Sequence, residues 1–352
     1  MDDSFERQVL ARLPLAEATL TIARWALDVP GLHQAYEDHR GRCYTGLLSF
    51  PTFVDILFDC FSGHWPSARA CLLKTQDDGR LPVSLKAFYD KLKNTPVDVS
   101  LAFFRTAMAR LRQLLPDHRP DCPASLRHLH CLLLDGKVIK HVCRRLKQLR
   151  LCRPTACKLL GPRSLVVADR WSGLLLDLVV ELDGEANEIK RVGDILQQIQ
   201  ASVVGPFVII GDRAFGVYKV CAQIVAGESG GQFLVRQHGS SQFVPDASRA
   251  AVYSTDRFGR PVVQRWGWLT RGQATKTKTR PLLPVRQITV QRDTTDLVLL
   301  TSLVDEQAYP VDDLLEAYLA RWDIEKAQAD YPSRRRWVGT VRIGYHRREG
   351  VA

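Results

Sequence analysis

The chain has 352 residues, 45% of them hydrophobic and 25% charged, the balance of a soluble globular protein large enough for two or three domains. No apolar run approaches the ~18–20 residues that a membrane helix needs. The opening MDDSFERQVL is acidic where a signal peptide is basic and then apolar, which predicts a cytoplasmic protein with no membrane partner. A net charge of +11 and a pI near 9.3 point instead to a polyanionic partner.

Residues 1–120 read as helical. Leu101, Phe104, Met108, Leu111 and Leu115 recur at helical steps behind a candidate Ser100 cap and stop at Pro116. Ser84 caps a shorter predicted helix through Lys93, with Leu85, Phe88, Tyr89 and Leu92 on its apolar side and Lys86, Lys91 and Lys93 as its charges. The turn Asn94-Thr95-Pro96 joins the two, either as a DNA-reading unit or as an ordinary helical pair. Pro116–Pro123 is polar and carries three prolines, as a linker does.

The pattern then changes to strands. Leu129–Val138 is an apolar run broken by Asp135-Gly136, and Ser164–Ala168 and Leu174–Leu182 suit a hairpin around Asp169–Gly173. Asn187 is a candidate cap for a helix to about Val203, with Ile189, Val192, Ile195, Leu196 and Ile199 facing a core. Pro206–Gly211 is a continuous apolar run, expected of a strand buried on both faces. Three strands, a helix and a strand make a mixed α/β sheet the economical fold class, and the succession is that of a ribonuclease-H-like fold.

Residues 216–292 read as a strand-rich insertion, with runs at 232–237, 261–269 and 285–290. Leu297–Leu303 restores a buried strand, and a helix follows from Val311 to about Ala329. The expected division is therefore 1–120 helical, 124–215 the first part of the catalytic domain, 216–292 the insertion, 293–331 the last strand and helix, and 332–352 an atypical basic tail.

Charge is unevenly spread. Lys137–Arg163 holds nine Lys or Arg, including Lys140, Arg144 and Arg145, and no acid, and Arg257–Arg292 repeats the pattern. Such blocks are either solvated loops or surfaces that neutralise phosphates and release counterions. The nine cysteines are scattered, so reduced and mostly buried thiols are expected. His128, His130, Cys131, His141, Cys143, Cys152 and Cys157 lack the paired spacing of a zinc site.

Three acids stand where a hard cation could be held: Asp135 in or at the end of the first strand, Asp212 just after the buried strand, and Glu325 on the late helix. Magnesium takes a few carboxylates together with substrate phosphates, and two such ions can clamp both oxygens of an in-line phosphoryl displacement. Each acid also has an ordinary explanation: a hairpin turn at Asp135-Gly136, a helix cap at Asp212, an exposed helix charge at Glu325.

Read together, Asp212-Arg213-Ala214-Phe215 after Val-Ile-Ile-Gly, and Tyr318-x2-Arg321-x3-Glu325 within YLARWDIE, resemble two landmarks of a DDE-type insertion-sequence transposase group. That group carries a Y-x2-R-x3-E-x6-K signature. LLLDG at Leu132–Gly136 is similar to its first-aspartate strand, and Asn187–Ile189 to the stretch before its first helix. The resemblance spans roughly Leu126–Glu325. It implies catalytic, metal-binding Asp135, Asp212 and Glu325 with Mg2+ or Mn2+, and cleavage at transposon ends followed by strand transfer. DNA partners, a homodimer in the synaptic complex and a nucleoid-associated bacterial enzyme are implied too.

Independently of the resemblance, Tyr318, Arg321 and Glu325 are spaced to share one helix face, with the phenol and guanidinium suited to phosphate oxygens. Arg213, Lys140, Arg144 and Arg145 are further candidates for DNA contact. The resemblance also implies a tryptophan in the strand-rich insertion that stacks on a flipped base, here Trp266 or Trp268, against the commoner outcome of a buried tryptophan. The sequence departs from the signature at Pro332, where its lysine is expected, and the helical periodicity collapses beyond about Ala327. A frameshift or truncation between Lys326 and Tyr331 accounts for both, and leaves a catalytically impaired DNA-binding remnant as the alternative function.

Overall fold

The computed structural model describes residues 14–27, 29–42, 46–61, 65, 67–81, 83–114, 122–138, 163–181, 188–227, 230–270, 282–293 and 295–321. Two compact units divide the chain, Leu27–Phe103 and Phe104–Gln328 with Met1–Ala26. No helix among the described residues is long and apolar enough to cross a membrane.

The smaller unit is helical. It contains α2 (Val29–His39), α3 (Phe50–Phe61), α4 (Ala68–Asp77), α5 (Leu85–Asn94) and the first turns of α6 (Val97–Leu114), while α1 (Pro14–Ala26) belongs to the larger unit. Its core gathers Leu32, Tyr36, Phe50, Phe53, Ile56, Leu72, Phe88 and Val99, with Tyr36 stacked on Phe50 at 4.7 Å between ring centroids. Ser84 does cap α5, its hydroxyl accepting from the Ala87 main-chain N–H at 3.3 Å.

The buried side of α5 differs from the expected one. Tyr89 and Leu92 are exposed at 42% and 44%, whereas Lys91 is buried beside Phe88. Lys91 Nζ donates to the Leu48 carbonyl at 2.7 Å and lies 4.8 Å from the Tyr36 ring centre, so its charge is satisfied inside. Helix α6 starts at Val97, directly after Pro96, rather than after Ser100.

The larger unit is built on a ten-stranded mixed sheet in the order β3-β2-β1-β4-β5-β10-β9-β8-β6, with β7 pairing β8. Strands β1 (His130–Val138), β2 (Arg163–Asp169) and β3 (Leu175–Glu181) are antiparallel neighbours. Asp169 closes the β2–β3 turn by accepting from the Ser172 N–H at 2.7 Å, and Gly173 takes φ +68° there. A 3-10 turn at Glu188–Arg191 leads into α7 (Val192–Ser202), whose Val192, Ile195, Leu196 and Ile199 are buried as the spacing predicts.

Helix α7 delivers the chain to β4 (Phe207–Gly211), all five residues buried and paired parallel to β1. Next come α8 (Tyr218–Val225) and β5 (Gln232–Arg236), which pairs parallel to β4. The stretch expected as an insertion thus begins by continuing the parallel sheet. Strands β6 (Gln242–Pro245), β7 (Val252–Thr255), β8 (Pro261–Thr270) and β9 (Leu282–Val290) then extend it in antiparallel fashion, and β10 (Leu297–Thr301) closes between β9 and β5. The last described helix is α9 (Val311–Leu319).

Side chains alternate across the sheet, so it buries two distinct apolar faces. Leu132, Leu134, Ile209, Phe233 and Val235 pack with α7 and α8 on one side. On the other, Cys131, Leu133, Val208, Ile210, Leu234, Ile288 and Leu299 pack with Leu314, Leu315, Ala317 and Tyr318 of α9.

Candidate active site on two neighbouring parallel strands

Asp135 does not sit in a turn. It lies inside β1 opposite Val166, and the β1–β2 ladder continues without a break to Val138. A hairpin at Asp135-Gly136 is therefore excluded. In the parallel pair, Leu134 stands opposite Gly211, so Asp135 and Asp212 come next on neighbouring strands whose spacing is about 4.8 Å. Asp135 is in phase with Cys131 and Leu133, and Asp212 with Val208 and Ile210. Both acids therefore belong to the face that α9 covers.

Asp212 also serves as a cap. Its Oδ1 accepts from the Ala214 N–H at 2.7 Å and starts the 3-10 turn Arg213–Phe215. The cap uses one carboxylate oxygen and directs the chain away from the strand end. Asp135 is 8% exposed and Asp212 half-buried.

Helix α9 supplies Tyr318, and Arg321 follows just past the helix end at Leu319 and its cap Ala320, short of the continuous helix expected to about Ala329. Tyr318 and Arg321 are both buried, and the Arg321 guanidinium lies 6.0 Å from the Tyr318 ring centre. Burial pushes the Tyr318 phenol above its ordinary range, with Arg321 and Arg236 opposing the shift and Asp212 adding to it. The phenol thus senses two guanidiniums and one of the two acids. Arg236 is the group the sequence reading missed: it ends β5, next to β4, and by alternation shares the face of Leu234. A cation closing an apolar run, as an acid follows the neighbouring one, was the available signal.

Three residues fix α9 over this face. Ser125 Oγ donates to Asp313 Oδ2 at 2.5 Å. From the turn after β7, Arg257 donates its main-chain N–H to Asp312 Oδ1 at 3.0 Å and Nη1 to Glu316 Oε2 at 2.7 Å. Arg286 of β9 donates to the Tyr309 carbonyl, at 2.7 Å, just ahead of the helix.

Other candidates are placed less directly. Arg213 is exposed. Trp266 is buried, its indole N–H donating to the Val304 carbonyl at 2.6 Å, and the Arg249 guanidinium covers its ring at 3.6 Å. Trp268 is half-buried, opposite Val244 and Pro284. His128 approaches the Tyr309 hydroxyl at 3.1 Å, and His130 approaches the Val204 carbonyl at the same distance. Lys140, Arg144, Arg145, Asn187, Glu325 and Pro332 lie outside the described residues.

Among the described residues, no group of three or more His, Cys, Asp or Glu side chains could hold a metal ion. What they do offer is two carboxylates on neighbouring chain segments, Asp135 inside β1 and Asp212 just past β4, a donor chemistry that fits a hard divalent cation.

A mixed α/β protein with two acids on neighbouring segments of a sheet face covered by a tyrosine-bearing helix is the class that fold and site define. The profile of the family described as "Transposase DDE domain" matches residues 141–337, more than half of the chain, and the chain belongs to that family. The matched span includes Asp212 and starts beyond Asp135. No curated protein matches the sequence. Among solved structures, the chain is similar to one described as "Cryo-EM structure of piggyBac transposase synaptic complex with hairpin DNA (SNHP)", at 10% identity and a TM-score of 0.38. That likeness covers 86% of this chain and 64% of the other.

Proposed function

We propose that this DDE-family transposase is a metal-dependent DNA strand-transfer enzyme whose Asp135 and Asp212, with Glu325, bind Mg2+ or Mn2+. The observation that carries the proposal is the parallel pairing of β1 and β4, whose last pair, Leu134 and Gly211, is followed on each side by an acid, Asp135 and Asp212, next to the sheet face that Tyr318 packs on. The strand order β3-β2-β1-β4-β5, with the first three antiparallel and the last two parallel to β1, supports reading this part as ribonuclease-H-like. Under that reading β6–β9 are the strand-rich addition, and residues 1–120 and the basic blocks serve DNA binding.

The roles follow from charge and place. Asp135 and Asp212 hold the cation, and Glu325 completes the set. A bound divalent cation would supply Lewis acidity at the scissile phosphate. Arg321 and Arg236 offer guanidinium donors to phosphate oxygens, and the Tyr318 hydroxyl, a phenol that is protonated at neutral pH, adds a neutral donor. Of the two tryptophans, Trp268 keeps part of its ring accessible for an unstacked base. The substrates are transposon ends and target DNA, brought together by a homodimer. A specific residue favours a second reading, that of a DNA-binding remnant: Pro332 stands where the signature has lysine.

A labelled duplex made from the DNA flanking the gene, incubated with Mg2+ or Mn2+, separates the two. Cleavage by the wild-type chain and none by Asp212→Ala supports the enzyme. Binding without cleavage by the wild type supports the remnant.

A further inference from the structure

We propose that Arg286 is a positioning residue: from inside the sheet it holds the 302–310 connection, and thereby sets α9, with its Tyr318 and the Arg321 that follows it, over the sheet face of Asp135 and Asp212. The consequence for catalysis rests on the function proposed above; the placement itself does not.

Arg286 is the largest fully buried side chain described, at 0% exposure. A buried guanidinium is costly unless its donors are satisfied, and a well-packed apolar side chain would avoid the cost. Its hydrogen bonds go to neutral oxygens: Nε and Nη2 to Gln264 Oε1, and Nη1 to the Tyr309 carbonyl. Burial lowers its pKa to about 10, far above neutrality, so the charge persists. Gln264 sits opposite Ile288 on β8, locked in the same sheet, so the far end of the arginine is anchored where its near end is. The third donor leaves the sheet and reaches the connection ahead of α9.

The same connection is held at two further points by the same patch of sheet. Trp266, paired with Arg286 across β8 and β9, donates to the Val304 carbonyl, and Arg249 lies over the Trp266 ring while pairing with Glu306 at 2.5 Å. Within the connection, Asp305 accepts from the Gln307 and Ala308 N–H groups, and the Tyr309 N–H donates back to the Asp305 carbonyl. The result is a short, internally bonded loop clamped at Val304, Glu306 and Tyr309, from which α9 starts at Val311. Trp266 thereby has a structural task that keeps its ring covered.

The test uses the full chain, with amide hydrogen exchange of α9 and Mn2+-dependent nicking of a supercoiled plasmid, plasmid binding being followed by mobility shift in Ca2+. For Arg286→Met, residues 303–319 should exchange about 10-fold faster while β1 and β4 keep their protection. Nicking at saturating plasmid should fall about 30-fold with half-saturation unchanged, as a small misplacement of reacting groups predicts. Arg286→Lys should recover much of the rate. Trp266→Phe, which keeps the ring and loses one donor, should show the same pattern at about 5-fold. Unchanged α9 protection overturns the proposal, and so does a loosened α9 with normal nicking, or exchange that quickens equally in β1 and β4 in both variants. If the wild type does not nick at all, the catalytic reading fails, and the exchange measurement still decides whether Arg286 holds α9.

Discussion

A Cβ on Gly216 would stand 2.0 Å from the carbonyl oxygen of Arg236. The turn that begins at Asp212 and the strand that ends at Arg236 are thus in backbone contact, with the Gly216 carbonyl accepting from Ser241 Oγ at 2.6 Å. Any side chain at 216 must push aside either the main chain at Arg236–His238 or the turn that carries Gly216. Gly216→Ala is expected to cost about 1–3 kcal/mol, the usual range for forced overpacking, read as a lowered urea midpoint. An unchanged midpoint would show that the contact yields freely.

Arg105 of α6 reaches both carboxylate oxygens of Asp177 on β3, at 3.1 and 3.2 Å, and the carboxylate is only 4% exposed. Removing the cation leaves a buried charge without its ion pair. Arg105→Met should therefore destabilise the larger unit by about 3 kcal/mol, discounted toward 2 because the guanidinium is 39% exposed. Restoring neutrality with Asp177→Asn in the same chain should recover part of that loss. Equal stability of Arg105→Met and wild type in urea denaturation would contradict the assignment.

The capping role of Asp212 separates its structure from its chemistry. Asparagine keeps a side-chain oxygen for the Ala214 N–H, whereas alanine does not. Asp212→Ala should lose about 1 kcal/mol of stability and Asp212→Asn only a few tenths, measured by thermal or urea unfolding. If Asn were as destabilising as Ala, the cap would not be what the carboxylate contributes to folding.

Acid should loosen the connection ahead of α9. The main-chain N–H groups of Ala308 and Gln307 hold the Asp305 carboxyl below its ordinary range, and the Glu306 carboxyl is held down by its own main-chain N–H, with Arg249 adding. For depressed carboxyls the stabilisation is complete above the unfolded values of 3.8 and 4.5, and is lost as pH falls through the folded ones. Exchange protection of residues 302–319, corrected for intrinsic rates, should be flat from pH 7 to about 5 and fall below about 4. The double variant Asp305→Asn, Glu306→Gln should flatten that fall.

Legibility in the sequence followed the physics of each segment. The run Phe207–Gly211 was plain because a strand covered on both faces needs five apolar residues in succession, and the α7 stripe was plain because its spacing is helical. Asp135-Gly136 read as a break because both residues favour turns, yet the ladder with β2 on one side and β4 on the other holds them extended. Lys91 read as an outer charge, and only the fold brings the Leu48 carbonyl and the Tyr36 ring within its reach. The parallel pairing of β5 was hidden because a five-residue run carries no mark of its partner, and Arg236 was hidden with it. Of the site itself, the sequence indicated Asp135, Asp212, Tyr318 and Arg321, and the register of β1 and β4 is what relates the two acids.

Metal-dependent cleavage of the gene's own flanking DNA by Asp212→Asn, compared with wild type at matched DNA occupancy, tests the central claim most directly. The variant keeps the cap and removes the charge. The account predicts cleavage by the wild type in Mg2+ or Mn2+ and a loss of at least about 100-fold in the variant, with binding retained. Cleavage by Asp212→Asn at the wild-type rate would contradict it.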